Sequence, residues 1–167
     1  SEAYAQIFGY PAREWGFPPL NTLARIYALG IEQGARTQDL LLRSPLRVEA
    51  DGSFRLNAPL RDGTDVYLMV GSPDACLSAA CNAATQAKAA LNGLKPVFGL
   101  VLVDTAWQTL LQSTPGAEIA AIRDALANDI PLAGGYTLGQ FVPGIASGDS
   151  PRFMNQNLLV ILFGTSE

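Results

Sequence analysis

Residues 131–144 read PLAGGYTLGQFVPG, and this stretch separates two apolar segments of the chain. Gly134, Gly135 and Gly139 permit backbone conformations with positive φ and allow another group to approach closely. Side chains that donate and accept hydrogen bonds lie among these glycines, namely Tyr136, Thr137 and Gln140. A packed core does not need this combination, whereas a binding surface does. We therefore place a candidate binding surface here; the alternative is a tight bend in which glycine serves shape alone.

The apolar segments on either side of this stretch are predicted strands. Residues 97–103 (VFGLVLV) are continuously apolar and short, which indicates a strand buried on both faces. Residues 157–163 form the last predicted strand. Between the first of these strands and the glycine-rich stretch we predict a short helical segment at 105–111 and a helix at 114–127.

The clearest helix in the sequence begins after Ser72. This serine is a favourable N-cap, Pro73 suits the first helical position, and Gly93 closes the helix. Apolar residues recur at the helical spacing and are expected to face the sheet: Leu77, Ala80, Ala84, Ala87 and Leu91.

The first half of the chain is predicted to be mostly strand. The predicted strands are residues 24–31, 40–49, 53–56 and 64–70, with turns at Asp51-Gly52 and Arg61-Asp62-Gly63. A helix at 2–8 and a proline-rich loop at 10–21 precede them. Because Trp15 and Phe17 need burial, we expect residues 1–21 to form an N-terminal helix and a docked arm. Residues 22–167 then form one globular domain.

The order of these elements favours an α+β fold. Tight hairpins come early and only one or two crossover helices follow, so the mixed sheet should be largely antiparallel, with helices packed against it.

Composition excludes several classes of function. The 167 residues carry a net charge of −4 and have no Lys/Arg cluster, so a nucleic-acid partner is not expected. No apolar run approaches the roughly 18–20 residues of a membrane span.

Apolar residues make up 49% of the chain and charged residues 16%, which suggests that another domain or chain covers part of the surface. We expect the chain to begin inside a longer protein, because it has neither an initiator Met nor a signal-peptide pattern.

Histidine is absent, and the two cysteines are Cys76 and Cys81. A His/Cys metal site is therefore not expected, nor is a cofactor. A disulfide between these cysteines is disfavoured by their helical spacing, and both are expected to be small core residues in a reducing cytoplasm. Without a histidine base, a nucleophile motif or a distinctive carboxylate pair, we do not expect an enzyme.

Three further positions are candidate ligand contacts. Asp104 and Thr105 stand where the strand at 97–103 meets a helix, a common place for ligand contacts. The alternative is that Asp104 merely caps that helix. Residues 155–157 (NQN) present three amides that either line a pocket beside Gln140 or form a polar turn.

Arg43 is the third candidate. Strand alternation across residues 40–47 places Arg43 and Arg47 on one face, and it places Leu40, Leu42 and Leu46 on the other. A guanidinium held beside a pocket would bind a carboxylate with two hydrogen bonds. The ordinary alternative is a solvated sheet face.

Several pieces of the sequence, in this order, resemble the C-terminal domain of the FIST family. They are EAY at 2–4, YALGI at 27–31, LRSPL at 42–46, EADGS at 49–53, RDGT at 61–64, the helix near 79–90, PLAGGYTLGQ at 131–140 and NQNL at 155–158. Each piece alone is weakly specific, but their order and spacing together cover almost the whole chain.

The resemblance implies a cytoplasmic sensory domain of a signal-transduction protein that binds a small ligand such as an amino acid. It also implies an N-terminal FIST domain and downstream signalling domains as partners. The alternative is a protein–protein docking module of a larger signalling or ubiquitin-ligase-like protein, which the F-box proteins of the family suggest. The least favoured function is that of a hydrolase using Asp104 or Thr105. The family usually has Glu at Gln140 and often a Cys-containing polar segment where this chain has Asp104-Thr105-Ala106.

The resulting set of candidate ligand-binding residues is Arg43, Asp104, Thr105, Gly135, Tyr136, Thr137, Gly139, Gln140, Asn155 and Asn157.

Overall fold

The computed structural model describes residues 1–32, 40–127, 129–143 and 150–166. Gly144, the last residue of the glycine-rich stretch, lies outside these ranges. The helices are α1 (Glu2–Phe8), α2 (Leu20–Ile26), α3 (Pro73–Ala90), α4 (Ala106–Leu110) and α5 (Ala117–Leu126), with a 3₁₀ turn at Ala12–Gly16. The strands are β1 (Leu29–Glu32), β2 (Leu40–Arg43), β3 (Pro45–Val48), β4 (Phe54–Leu56), β5 (Tyr67–Leu68), β6 (Lys95–Asp104), β7 (Leu132–Thr137), β8 (Gln140–Val142), β9 (Arg152–Met154) and β10 (Leu158–Thr165).

The main sheet has the strand order β10-β6-β7. β10 pairs with β6 antiparallel, whereas β7 pairs with β6 parallel. The parallel pair requires a crossover connection, which α4 and α5 supply. The other pairings are antiparallel, in a sheet of order β2-β1-β5 and in the ribbons β3-β4 and β8-β9. The α+β prediction with a largely antiparallel mixed sheet is confirmed.

Helices α3 and α5 cover one face of the main sheet. Ser72 Oγ accepts the Ala75 N–H, which caps α3 as predicted. Ala80 and Ala84 are fully buried, and their small side chains let α5 approach closely. Helix α5 begins at Ala117 after Gly116, three residues later than the expected start at residue 114.

The prediction that residues 97–103 are buried on both faces is wrong. Val101 and Val103 point into the core beneath the helices. The apolar side chains that alternate with them, and those beside them on β10, belong to neither hydrophobic core: Phe98, Leu100, Leu102, Leu159, Ile161 and Phe163. We call this side of the sheet the open face.

In the first half of the chain, two predicted strands differ from the structure. Residues 24–31 are not one strand, because α2 runs to Ile26 and buries Leu20 and Ala24 at helical spacing. The region 64–70 is not a central strand, since only Tyr67–Leu68 pair, at a sheet edge. The turn at Asp51-Gly52 is confirmed, with Gly52 at φ 83° between β3 and β4.

The arm at the N-terminus packs through its aromatic side chains. Trp15 is buried in a second core together with Tyr4, Leu20 and Ala24. The expectation that Phe17 is buried is wrong, since it stays 67% exposed. Cys81 is exposed rather than buried, while Cys76 is buried, and both are free thiols. Among the described residues, no helix is both long enough and apolar enough to cross a bilayer.

Candidate functional site

A polar row crosses the end of the main sheet. Asp104 and Thr137 are register partners at the carboxyl ends of the parallel strands β6 and β7. Asn157 lies next to Asp104 on the other side, where its carbonyl accepts the Asp104 N–H at 3.0 Å. Because the carboxyl ends of parallel strands commonly border ligand sites, this edge of the sheet is a candidate ligand site.

A cavity of about 480 Å³ opens beside this row. Three of the residues predicted from the sequence line it: Asp104, Thr105 and Asn155. The facing wall comes from α2 and from the corner between β2 and β3, while α4 continues the wall that Asp104 and Thr105 begin. The other polar side chains on these walls are Thr22, Arg25, Ser44, Asn57, Gln108 and Thr109.

Asp104 combines the two roles that the sequence left open. Its Oδ1 accepts the Ala106 N–H at 2.9 Å and so caps the start of α4. The same residue, although only 5% exposed, lines the cavity. A carboxylate has acceptor capacity beyond one capping bond, so the cap does not exhaust what Asp104 can bind.

Asn155 carries an unused acceptor. The residue is 4% exposed, and its Oδ1 has no hydrogen-bond partner within the described part of the chain. A buried amide oxygen without a partner costs about 1–3 kcal/mol. A donor that reached this buried oxygen would remove the penalty.

Arg25, an exposed residue of α2, is the cationic residue in the lining of the cavity. No described carboxylate forms an ion pair with its guanidinium. This residue is absent from the set selected from the sequence, because residues 24–31 were assigned to a strand. The usable signal was the pair Pro18-Pro19 followed by Leu20 and Ala24 at i, i+4 spacing, which favours a helix starting there.

Thr137, Gln140 and Asn157 form a hydrogen-bonded chain behind the cavity instead of lining it. Gln140 Nε2 donates to Thr137 Oγ1 at 3.0 Å, and Asn157 Nδ2 donates to Gln140 Oε1 at 2.7 Å. Gln140 is buried, and its amide serves as donor on one side and acceptor on the other. A glutamate at this position has no N–H for Thr137, so Gln140 matches this particular network.

Gly139 allows the turn from β7 to β8 to lie against these residues. It has φ 120°, and a Cβ there would come within 2.5 Å of the Phe153 ring and 2.9 Å of Asn155 Nδ2. The close approach expected of this glycine is therefore to a neighbouring side chain of the fold.

The interpretation of Arg43 as part of an alternating sheet face is wrong. The strand breaks at Ser44, because Pro45 lacks an N–H and restricts the residue before it. Arg43 is buried and donates from Nη1 to the carbonyls of Leu42 and Phe153. Burial lowers the pKa of its guanidinium. Arg43 does not line the cavity; it ties β2 to β9 immediately behind the wall.

Gln156 is one of the three amides noted at residues 155–157 but is absent from the final set of candidate residues, and it connects the walls of the cavity. Its Nε2 donates to the Arg25 carbonyl at 2.8 Å and to Ser44 Oγ at 3.3 Å, while its own carbonyl accepts from Trp107 Nε1 at 3.0 Å. The residue adopts φ 51°, an uncommon conformation outside glycine. Gln156 therefore joins α2, the β2–β3 corner and α4 around the cavity.

Gly135 and Tyr136 lie elsewhere, at a separate cavity of about 250 Å³ between α5 and the edge strand β7. The Tyr136 hydroxyl donates to Glu118 Oε1. Glu118 is 1% exposed, and its Oε2 has no partner among the described residues. The hydrogen bond and burial raise the pKa of Tyr136 to about 12.

This pKa shift predicts how stability falls at high pH. Because the folded state holds the phenol protonated, Tyr136 contributes its full stabilisation below pH 10 and loses it as the pH rises from 10 to about 12. Tyr136→Phe should lower the free energy of unfolding by about 1–3 kcal/mol at pH 8, by leaving the Glu118 carboxylate without its donor. The difference in the free energy of unfolding between wild type and variant should decrease toward zero as the pH approaches 12.

Urea unfolding at several pH values between 8 and 12 measures this gap. Tyr10→Phe, at a tyrosine that is 50% exposed, is the control and should change neither stability nor its pH dependence. A gap that persists unchanged at pH 12 contradicts the assignment.

A larger groove of about 850 Å³ lies at the N-terminal end of the molecule, beside α1 and the β3–β4 turn. Its charged residues, such as Glu2, Arg13 and Asp51, are exposed, and it contains none of the predicted site residues. We therefore place the candidate site in the smaller cavity. Within the described ranges, no group of three His, Cys, Asp or Glu side chains is arranged to hold a metal ion.

Comparison with known proteins identifies the family. The model of the FIST C domain matches residues 1–143. The chain belongs to the FIST C-domain family. No curated protein and no solved structure matches it. Membership of the FIST C family indicates a sensory domain of signal transduction, and the cavity beside Asp104 is the candidate sensory site of this FIST C domain.

Proposed function

We propose that this FIST C domain binds a small metabolite of the amino-acid class in the cavity beside Asp104. The observation that carries the proposal is the buried Asn155 Oδ1, which lacks a partner among the described residues at the wall that also holds Asp104. A ligand ammonium or amide N–H would satisfy this buried oxygen once the Asn155 side chain turns toward the cavity.

The charges on the walls suit a zwitterion. The Asp104 carboxylate and the Asn155 amide oxygen accept hydrogen bonds from an ammonium group. The Arg25 guanidinium binds a carboxylate with charge-assisted hydrogen bonds. The volume of about 480 Å³ lies within the range of small-molecule sites, about 300–1,000 Å³.

The position of the cavity suits signalling as well as binding. One wall is formed by α2 and the β2–β3 corner, and the other by α4 and the end of β6. A ligand that contacts both walls favours the conformations in which they are close together. It changes the state of a neighbouring domain only if it binds one conformation better than the other.

The proposal includes the setting in which the domain works. We infer a cytoplasmic signalling protein in which an N-terminal FIST domain and downstream signalling domains respond to the bound metabolite. Binding without catalysis is part of the proposal, because the cavity walls combine one carboxylate and one guanidinium with amides and hydroxyls but offer no activated nucleophile.

A ligand screen tests the proposal. Amino acids and organic acids are added to the 167-residue chain in a thermal unfolding assay, followed by calorimetric titration. A ligand at 100 times its Kd should stabilise the fold by about 2.7 kcal/mol and raise Tm by roughly 5–10 °C. Hydrolysis of generic ester and amide substrates, assayed in parallel, should be absent.

Two variants locate the binding. Asp104→Asn keeps an oxygen to cap α4 but removes the charge, and Arg25→Gln removes the guanidinium; each should weaken binding about 10- to 100-fold. Arg61→Gln, at an exposed arginine in a turn outside the cavity, is the matched control and should bind normally. No stabilisation by any compound at millimolar concentration, or equal binding by all variants, contradicts the proposal.

A docking module is the second candidate, and the exposed tip between β7 and β8 favours it. Leu138 and Phe141 are 80% and 77% exposed there. However, Thr137 and Gln140 turn inward to each other, so they are not available to such a partner. Binding of a signalling partner that is lost in Phe141→Ser and unaffected by Asp104→Asn would support docking.

A further inference from the structure

The open face of the main sheet is an apolar surface that ligand binding does not use. Its six side chains are Phe98, Leu100, Leu102, Leu159, Ile161 and Phe163. Ile161 is 38% and Phe163 is 51% exposed. None of the six carries a charge, and no described helix packs on this side of the sheet.

Bulk is distributed unevenly across this face. Register pairing places Ile161, Leu100 and Ala133 in one row across the three strands, and Leu159, Leu102 and Gly135 in the next. Along the edge strand β10 the side chains are large and project far from the sheet. Along the opposite edge strand β7 the surface is recessed, because Ala133 and Gly135 have little or no side chain, and both residues are exposed.

A surface of this shape is complementary to itself. A two-fold axis that runs parallel to β6, between two facing sheets, places β10 of one copy over β7 of the other and keeps the rows in register. Ile161 then faces Ala133 of the second copy, and Leu159 faces its Gly135. We propose that the open face is an isologous dimer interface, in which two copies form a β-sandwich through their main sheets.

The size of the face predicts a weak dimer. Eight residues of β10 and three strands give a footprint of about 27 by 14 Å. Two copies would bury only about 800 Å² in total, less than a standard specific interface, so we expect a dimer that dissociates on dilution, with a Kd of roughly tens of micromolar. Because the axis is parallel to β6, the two candidate ligand cavities lie at the same end of the dimer.

Sedimentation velocity of the 167-residue chain between about 1 and 200 µM tests the proposal. The wild type should shift from monomer to dimer across this range. Ile161→Asp should weaken the dimer at least about 100-fold, because it places a charge in an apolar interface. Phe141→Asp is the matched control at an exposed apolar residue outside the face and should leave the Kd unchanged. Circular dichroism establishes that each variant is folded.

A cross-linking experiment tests the arrangement independently of stability. Two single-site variants, Ala133→Cys and Ile161→Cys, are each made in a Cys81→Ser background, since Cys81 is exposed. When the two chains are mixed and oxidised, the disulfide between residues 133 and 161 should form in preference to either symmetric disulfide.

A wild type that is monomeric at the highest concentration overturns the proposal. Equal effects of Ile161→Asp and Phe141→Asp overturn it too, as does a random distribution of disulfides.

Discussion

Gly134→Ala is expected to destabilise the protein by at least about 3 kcal/mol, and the variant is expected to expose the edge of the main sheet. Gly134 has φ 155°, a conformation that residues with a side chain rarely adopt. A Cβ at this position would lie 1.7 Å from the Val101 carbonyl oxygen. Because the obstacle is backbone of the neighbouring strand, rotation of a side chain cannot relieve it.

The consequence extends from the strand pair to the candidate site. Gly134 pairs with Val101 in the middle of the parallel β6–β7 ladder, and Thr137 pairs with Asp104 at its end. If β7 moves away from β6 at residue 134, the polar row loses its alignment. We therefore expect Gly134→Ala to lose ligand binding along with stability.

Gly135→Ala is the control for this prediction. A methyl group on this neighbouring glycine would have no atom within 4 Å, and the residue has no positive φ. Its substitution should change stability by less than about 1 kcal/mol, with a slight gain expected from the lower entropy of the unfolded chain. Urea unfolding at a few micromolar, where the proposed dimer is dissociated, compares the two. Similar free energies of unfolding for both variants contradict the role given to Gly134.

Trp107→Ala is expected to have the second-largest effect, a loss of about 3–5 kcal/mol in the free energy of unfolding. Trp107 is 4% exposed in the core between α3, α5 and the main sheet. Its Nε1 donates to the Gln156 carbonyl at 3.0 Å and so fixes α4 to the turn before β10. Since α4 forms one wall of the candidate cavity, ligand affinity should fall as well.

Trp107→Phe separates packing from hydrogen bonding. It keeps an aromatic ring but leaves the Gln156 carbonyl without its donor, which should cost about 1–3 kcal/mol. Trp15→Phe is the matched control in the second core, because the Trp15 Nε1 has no partner among the described residues. Denaturant unfolding followed by circular dichroism should show a smaller loss for Trp15→Phe. The reverse order contradicts the role of the Trp107–Gln156 bond.

Features that depend on neighbours in the sequence were predictable. The cap of α3 at Ser72, the turn at Gly52 and the end of α1 at Gly9 each follow from residues within one helical turn or one hairpin. The strand at β6 was also evident from its apolar run. The exposure of one face of this strand was not predictable, because the sequence does not show whether the fold covers an apolar side chain.

The candidate site was only partly predictable for the same reason. Asp104, Thr105 and Asn155 were selected and do line one cavity. Arg25 was missed because the pattern at residues 24–31 favours a strand, and Tyr136 was grouped with Thr137 although the two side chains lie on opposite sides of β7. Adjacent residues of a strand face opposite sides of the sheet, so nearness in the sequence did not mean a shared site.

The glycine-rich stretch at 131–144 shows which properties follow from the sequence and which exist only in the tertiary structure. Its need for glycine in the backbone and its accompanying polar groups follow from the residues, because both properties belong to the residue types themselves. That Gly134 faces the Val101 carbonyl, that Thr137 meets Asp104 and that Tyr136 bonds to Glu118 are visible only in the folded chain. These contacts join residues about 18 to 33 positions apart, and they exist only because β7 pairs with β6 and packs beneath α5.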